Sequence, residues 1–360
     1  MKRRDMLRGG LAAAAAVAVG LDAPAAPATK DISSVTGLLR PDDLGVTLPH
    51  EHPACRWDWR RLNHAGPPTD ALTEDRRREQ DDGLLAFWDL LGAKLKENGV
   101  RSILDARSEH SGRAVDLLQA ISRRTGLNIM CVTGYYVPSQ RPVDFMSRGL
   151  EAARDDMIKE LVDGIGNTGV RAAAIKLAVG GRPGDDSDDL MLNAGALAQK
   201  ATSCAITTHA TTPESRRHLL DVLDKRGADV SRVAIGHADA NGSVEESAQL
   251  LQRAGYVLYT IWGITNPRLI GSRTPVLRDH SARLIRGVLD RGLAKKVLFS
   301  IDFSVYQHEG GIVLRLYDIP ERTSNFIFTF VVPQLRKLGI SEGEIHQMMV
   351  ENPRRHLCGA

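Results

Sequence analysis

Thr47-Leu48-Pro49-His50-Glu51-His52 places two histidines at the end of a short apolar run, with one residue between them. At that spacing, side chains on an extended strand point to the same side. Four other short apolar runs each end in one polar residue, and these residues are Lys176, His209, His237 and Asp302. Polar residues at the ends of parallel strands gather on one rim, which in a (β/α)8 barrel carries the active site. The pattern therefore predicts a metal site on that rim and favours a metal-dependent hydrolase.

Short apolar runs recur along the chain and predict eight β-strands. They are continuously apolar and rich in Ile, Val and Leu, as expected for strands buried on both faces of a parallel sheet. The runs are residues 45–48, 102–106, 128–133, 172–176, 205–209, 233–237, 256–260 and 297–302. Helical patterns with apolar residues at three- and four-residue spacing lie between them. Eight alternating units predict an α/β fold, a (β/α)8 TIM barrel with the metal site at the C-terminal ends of the strands.

Residues 1–28 are predicted to be a twin-arginine export signal. Lys2-Arg3-Arg4 precedes a mild alanine-rich run, and small residues offer cleavage after Ala25 or after Ala28. The run is shorter than the ~20 apolar residues that a membrane span needs. A frayed helix and an uncleaved membrane anchor remain the alternatives. The prediction places residues 29–360, a single barrel domain, in the periplasm or elsewhere outside the cytoplasm.

The charge balance and the cysteines exclude several classes of protein. The chain of 360 residues has 47 Lys and Arg against 44 Asp and Glu, and its formal net charge is +3. Without a sustained basic run, it is a poor binder of nucleic acid or of an anionic membrane. The four cysteines show no Cys-x-x-Cys spacing, which argues against zinc fingers and redox motifs. Cargo that folds in a reducing compartment before export is expected to carry buried thiols rather than disulfides.

Lys176 is the most informative of the strand-end residues. It follows Ala-Ala-Ala-Ile and precedes Leu-Ala-Val, so its amine is predicted to be poorly solvated, which favours the neutral form. Carbon dioxide converts a neutral amine into a carbamate, whose two oxygens and negative charge can bridge two metal ions. A lysine whose charged tip reaches water and a Schiff-base nucleophile are the alternatives. The histidines at the other strand ends favour the carbamate.

Together these residues resemble the phosphotriesterase family of the amidohydrolase superfamily, in its phosphotriesterase-related and phosphotriesterase-like lactonase group. The resemblance covers nearly all of the chain after the predicted signal. It is carried by an ordered set of motifs: Thr47 to His52, Ile175-Lys176, Thr207-Thr208-His209, Arg232 to Asp239, Val297 to Asp302 and the closing Glu351-Asn352-Pro353-Arg354. Each motif alone is weak, but the ordered set is specific.

The resemblance implies a binuclear metal centre. In it, His50, His52 and Asp302 hold the more buried divalent ion, and His209 and His237 hold the more exposed one. Carboxylated Lys176 and a hydroxide bridge the two ions, which are zinc in the first instance, with iron, cobalt or manganese as alternatives. Two cations lower the pKa of a shared water, and the resulting hydroxide attacks an ester-type bond while Asp302 accepts the released proton.

The sequence departs from the family pattern on the side of the substrate. Phosphotriesterases pass the proton from the metal-bound aspartate to a histidine and a second aspartate. Here Trp262 stands near the expected histidine, and Ala240 takes the place of the second aspartate, with Asp239 beside it. The Asp-Arg-Tyr-like segment usual in lactonases is missing as well. The metal chemistry therefore transfers from the family, but the substrate does not. The predicted substrate is a lactone or carboxylic ester, with a phosphotriester as the alternative.

Three segments are predicted to form working loops on the rim of the barrel: residues 53–82, 137–148 and 303–321. Aromatic residues in or near these loops predict an apolar pocket for a small molecule, and the predicted substrate contacts are Trp57, Tyr136, Trp262 and Tyr306. The resemblance is compatible with a homodimer. Two hypotheses of other classes remain, namely a Schiff-base lyase that uses Lys176 and a non-catalytic exported binding protein.

Overall fold

The computed structural model describes residues 31–56, 73–180, 182–264, 277–308, 311–315 and 321–359. The described chain begins with an antiparallel hairpin of β1 (Ile32–Ser34) and β2 (Gly37–Leu39). A parallel sheet follows, with its strands in chain order. These strands are β3 (Val46–Glu51), β4 (Val100–Asp105), β5 (Asn128–Tyr135), β6 (Ala174–Ala178), β7 (Ala205–His209), β8 (Val233–Gly236), β9 (Tyr256–Tyr259) and β10 (Val297–Phe299).

The sheet closes on itself between its last strand and its first. Just beyond β10, the Asp302 amide donates to the carbonyl of His50 at 3.2 Å, and the His52 amide donates to the carbonyl of Phe303 at 2.8 Å. Ser304 then forms a parallel bridge with His52. The predicted eight-stranded barrel is confirmed, and the closure lies at its C-terminal rim.

Helices cover the outside of the barrel between successive strands. They are α1 (Glu74–Glu97), α2 (Val115–Thr125), α3 (Phe145–Val162, kinked at Gly149), α4 (Asp186–Thr202), α5 (Pro213–Lys225), α6 (Val244–Leu250), α7 (His280–Leu289), α8 (Val332–Lys337), α9 (Glu342–His346) and α10 (Asn352–Cys358). π-Helical turns precede α8 and α10, at Ile327–Val331 and Gln347–Glu351. Short 3-10 helices lie at Pro41–Asp43, Glu109–Ser111, Pro138–Gln140, Val230–Arg232 and Ala294–Lys296.

Local sequence chemistry sets the helix starts and the buried helix faces. The Thr212 hydroxyl accepts from the Ser215 amide ahead of Pro213, and Ser341 forms a reciprocal capping box with Glu344. The buried face of α1 follows the predicted spacing and consists of Leu84, Trp88, Leu91 and Leu95. Each such side chain stabilises the fold by about 1.5–3 kcal/mol when it leaves water. Among the described residues, no helix has the length and apolar character needed to span a membrane.

Several predicted boundaries were wrong at the rim. The first strand runs on through His50 to Glu51, because that edge pairs with β4, whereas the last strand stops at Phe299, three residues before Asp302. The predicted loop 303–321 contains a hairpin of β11 (Ser304–His308) and β12 (Gly311–Arg315). The predicted end of the loop 53–82 was also wrong, because α1 begins at Glu74. The predicted export signal, residues 1–28, lies outside the described residues and stays a prediction.

The barrel wall beside Lys176 requires glycine at position 134. Gly134 has φ +102°, and a Cβ there would lie 2.1 Å from the Lys176 carbonyl oxygen. Gly99, at the end of α1, has a similar φ of +82°, but a Cβ there would meet nothing within 4 Å. Substitution of Gly99 by alanine therefore tests the cost of the left-handed backbone alone, whereas substitution of Gly134 adds the cost of a steric clash with β6.

We expect Gly99→Ala to lower the free energy of unfolding by about 1–2 kcal/mol, the cost of a left-handed residue with a Cβ. Gly134→Ala should cost more than about 3 kcal/mol, because the backbone of β6 must also move. Urea denaturation of both variants and the parent measures the difference. Equal losses in the two variants would show that β5 and β6 do not approach so closely.

Candidate metal centre

The strand-end residues predicted from the sequence meet at the C-terminal rim of the barrel. His52 Nε2 lies 3.0 Å from Asp302 Oδ1, and His50 Nε2 lies 3.8 Å from the same oxygen. The rings of His209 and His237 are 4.4 Å apart between centroids, and those of His50 and His237 are 5.0 Å apart. The structure thus brings together residues at or just beyond the ends of four different strands, β3, β7, β8 and β10, around one small space.

Three of these residues already form a group that can hold one cation. One ligand atom from each of His50, His52 and Asp302 lies within 4.8 Å of the other two. Two imidazoles and a carboxylate suit a divalent transition metal such as zinc. The side chain of Asp302 is 20% exposed, so it is partly open to solvent.

Lys176 lies between this group and the other two histidines. Its side chain is fully buried, and its Nζ is 3.2 Å from His50 Nε2 and 3.5 Å from the Thr208 carbonyl oxygen. Burial lowers the pKa of the Lys176 amine to about 7, against the opposing charges of Asp302 and Asp105. The amine therefore has a substantial neutral fraction at neutral pH, as the carbamate hypothesis requires.

The ring nitrogens of the histidines fit a cation better than they fit a purely structural role. His50 Nδ1, His52 Nδ1 and His237 Nε2 are buried and have no hydrogen-bond partner within the described part of the chain. Burial lowers the pKa of His237 to about 4, and it holds the pKa values of His50 and His209 well below the usual range. Neutral imidazoles keep the lone pair that a metal ligand donates.

Backbone strain occurs at two of the ligand positions. His237 has φ +58° and Asp302 has φ +54°, a region in which a residue with a Cβ costs about 1–3 kcal/mol. His237 directly follows β8, and Asp302 lies three residues beyond the end of β10. Burial also opposes ionisation of Asp302, but the hydrogen bond and charge of His52 hold the pKa of Asp302 well below its usual range. The strain and the ionised carboxylate both indicate a functional site.

Residues behind the candidate metal ligands fix the orientation of these ligands. Thr260 Oγ1 lies 2.6 Å from His237 Nδ1, which leaves His237 Nε2 to face the centre. Asp239 accepts from the amides of Thr260 and Ile261 and from the Ser281 hydroxyl at 2.7–3.1 Å. The carboxylate of Asp239 thus holds the end of β9 through two backbone amides and the Ser281 hydroxyl.

The predicted substrate contacts have different outcomes. The Tyr136 hydroxyl lies 3.3 Å from His209 Nδ1, so Tyr136 is part of the centre. Trp262 is 1% exposed, packs edge-on against Phe299 and donates its indole N–H to the Tyr259 carbonyl, so the structure places it in the core and not against a substrate. Trp57 and the side chain of Tyr306 lie outside the described residues.

Sequence reasoning missed the residues that support the rim from behind. Arg322 is fully buried and donates to the carbonyls of Thr260, Trp262 and Ile301, which joins the ends of β9 and β10. Glu51, between the two histidines of the first strand, accepts four hydrogen bonds across the closure of the barrel. An acidic residue inside a buried strand was a usable signal for Glu51, because such a charge requires partners.

Comparison with known proteins agrees with this geometry. The sequence profile of the phosphotriesterase family matches residues 30–357. The phosphotriesterase homology protein of Mycobacterium tuberculosis is 28% identical over 340 residues, which cover 90% of this chain and 97% of that protein. These matches extend over the whole barrel rather than over single motifs.

Two solved structures from Deinococcus radiodurans share the fold. A mutant of its organophosphorus hydrolase has a TM-score of 0.79 and 27% identity, covering 93% of this chain and 99% of that chain. A mutant of a PTE-like lactonase has a TM-score of 0.77 and 26% identity, covering 91% and 99% of the two chains. The similar structures thus include one described as an organophosphorus hydrolase and one described as a lactonase, which correspond to the two substrate classes predicted from the sequence.

The contact between Thr260 and His237 makes a testable contribution to metal binding. We expect Thr260→Val to weaken the binding of Zn²⁺ by about 10–100-fold, because residues that orient a ligating histidine contribute on that scale. Thr207→Val is the matched control, since the Thr207 hydroxyl is buried and has no partner among the described residues. Chelator competition on metal-free protein measures both. Equal zinc affinity in the two variants would contradict the proposed orientation of His237.

Proposed function

The chain belongs to the phosphotriesterase family, whose members are metal-dependent hydrolases, and from this premise we propose that it hydrolyses a lactone or a carboxylic ester. The observation that carries the proposal is the convergence of His50, His52, His209, His237, Lys176 and Asp302 on one rim of the barrel. A phosphotriester is the alternative substrate.

In this proposal the six rim residues hold two divalent ions, with zinc as the first candidate and iron, cobalt or manganese as alternatives. His50, His52 and Asp302 would hold one ion and His209 and His237 the other, with N6-carboxylated Lys176 as a further ligand of the same centre. When bound, the two ions would supply hydroxide at neutral pH and polarise the carbonyl or phosphoryl group of the substrate.

Lys176 and Asp302 carry the proton chemistry of the chain itself. The neutral Lys176 amine adds to carbon dioxide, so an N–C bond forms and the nitrogen loses a proton to solvent. The Asp302 carboxylate is held ionised and is partly exposed, so it accepts the proton released when the ester bond breaks. Tyr136, whose hydroxyl faces His209, is placed to orient a substrate at the more exposed side of the centre.

The surroundings of Asp302 support a carbon ester over a phosphotriester. The relay expected of phosphotriesterases needs a histidine and an aspartate beyond the metal-bound aspartate. Trp262, near the first of these positions, is a core residue, and Asp239, beside the second, accepts backbone amides. In this proposal the proton therefore passes from Asp302 to solvent, to which its side chain is partly exposed. The similarity to a PTE-like lactonase supports the same order of substrates, whereas the similarity to an organophosphorus hydrolase keeps the phosphotriester as the alternative.

Export remains part of the proposal. We propose that residues 1–28 direct the chain to the twin-arginine machinery, which leaves residues 29–360 as one barrel domain outside the cytoplasm. The twin arginine and the alanine-rich run that follows it support this. A homodimer is proposed on the resemblance alone.

Metal content tests the proposed centre. Protein expressed with bicarbonate and a divalent metal should contain about two ions per chain by elemental mass spectrometry. Lys176→Ala and Asp302→Asn should each reduce this content and lower kcat/KM more than about 100-fold, which exceeds the effect of losing an outer partner. Lys296→Ala is the control, because Lys296 donates to the Leu251 carbonyl away from the rim. Full turnover in both rim variants would show that the mechanism is wrong.

A substrate panel tests the order of the electrophiles. We expect kcat/KM for lactones or aryl carboxylic esters to exceed that for a dialkyl aryl phosphotriester by at least about tenfold, or 1.4 kcal/mol in the activation barrier. The Asp302→Asn protein serves as the blank for uncatalysed hydrolysis. Exclusive turnover of the phosphotriester would reverse the order. Borohydride trapping of a carbonyl compound on Lys176, without any hydrolysis, would instead establish the Schiff-base lyase.

A further inference from the structure

We propose that Glu51 is a positioning residue that fixes Asp302 toward the metal ions, an inference that rests on the proposed function. Glu51 lies between two ligands in the sequence but does not belong to the ligand group. Because neighbouring residues of a strand point to opposite sides, His50 and His52 face the centre while Glu51 faces the closure between β3 and β10.

The carboxylate of Glu51 is fully buried and all of its partners are donors. Oε1 accepts from the Ser300 hydroxyl at 2.6 Å and from the Ile301 amide at 2.9 Å. Oε2 accepts from the Phe303 amide at 3.1 Å and from the Ser324 hydroxyl at 2.8 Å. Four donors on two oxygens match an ionised carboxylate, which only accepts.

The partners of Glu51 lie on both sides of Asp302. The amides of Ile301 and Phe303 belong to the residues immediately before and after it, and each is bound to a different oxygen of the same carboxylate. The strand β10 has already ended at Phe299, so regular sheet pairing does not hold this segment. The left-handed conformation of Asp302, at φ +54°, therefore sits inside a clamp made by Glu51 and by the amide of Asp302 itself, which donates to the His50 carbonyl.

Glutamate is the residue that this clamp requires. Glutamine has nearly the same shape, but its NH₂ group would face either the Ile301 amide or the Phe303 amide, and two donors cannot bond to each other. Aspartate is one methylene shorter and cannot span the same donors without moving the strand. A substitution at Glu51 should thus remove a hydrogen bond to the backbone on one side of Asp302, while the proposed metal-binding side chains themselves are unchanged.

The test compares Glu51→Gln with Glu160→Gln in the full chain, using Co²⁺ as the probe. The Glu160 carboxylate is also mostly buried and bonded, in its case to Arg113 at 2.5–2.8 Å on the outside of the barrel. We expect Glu51→Gln to weaken one of the two bound Co²⁺ ions at least about tenfold and to change the visible cobalt spectrum. Glu160→Gln should leave both the affinity and the spectrum as in the parent, whatever it does to stability. With an ester substrate, Glu51→Gln should lower kcat more than it raises KM.

If Glu51→Gln does not fold, a milder variant provides the same test. Ser324→Ala removes a single donor from Oε2, and we expect Co²⁺ at the same ion site to bind about two- to fivefold more weakly. Parent-like cobalt affinity and spectrum in folded Glu51→Gln, or in Ser324→Ala when that alone folds, would overturn the inference and leave the proposed function standing. A parent chain that binds two Co²⁺ ions but hydrolyses no ester would overturn the function and leave the positioning role intact. A parent chain that binds no Co²⁺ would overturn both.

Discussion

The closure of the eighth strand onto the first is the constraint on which the rest of the structure depends. An open parallel sheet leaves two unpaired edges, and a barrel removes them only if its last strand reaches its first. Here β10 contributes three residues, Val297–Phe299, and the closing hydrogen bonds are made just beyond it, between Asp302 and His50 and between Phe303 and His52. The contacts that complete the fold are therefore the same contacts that bring ligands from opposite ends of the chain together.

A second consequence of closure is that most of the ligand side chains are buried. Burial disfavours positive charge on Lys176, His50, His209 and His237, so their pKa values fall and their neutral nitrogens keep a lone pair for a metal ion. Unpaired neutral nitrogens in such a place are costly, and divalent cations are the partners that satisfy them. The strained backbone at His237 and Asp302 follows the same logic, because a regular strand end would not turn these side chains into the rim. The strained backbone of these two residues thus lowers the stability of the fold at the site itself.

The features that distinguish substrates lie outside the ligand set. Asp239, Thr260 and Arg322 hold the ends of β9 and β10 from behind, and Trp262 fills the core beneath them. In the proposed hydrolase, the choice of substrate would then be left to the segments that follow the strands, such as the hairpin of β11 and β12, as is usual for barrels that share one centre and differ in their loops.

Sequence alone determined the eight strands and the polar residues at their ends that form the candidate metal centre, because both depend on a local pattern: strand periodicity and a polar residue at a strand end. It also exposed Lys176 as a buried amine, since its apolar neighbours are adjacent in the chain. Tertiary structure decided the role of Glu51, whose partners Ser300 and Ser324 lie roughly 250 residues downstream. It likewise decided that Trp262 packs in the core and that Asp239 binds backbone amides. Such contacts join residues that are distant in sequence. A local sequence pattern cannot predict which distant donor will bind a buried carboxylate, because the two groups come together only when the barrel closes.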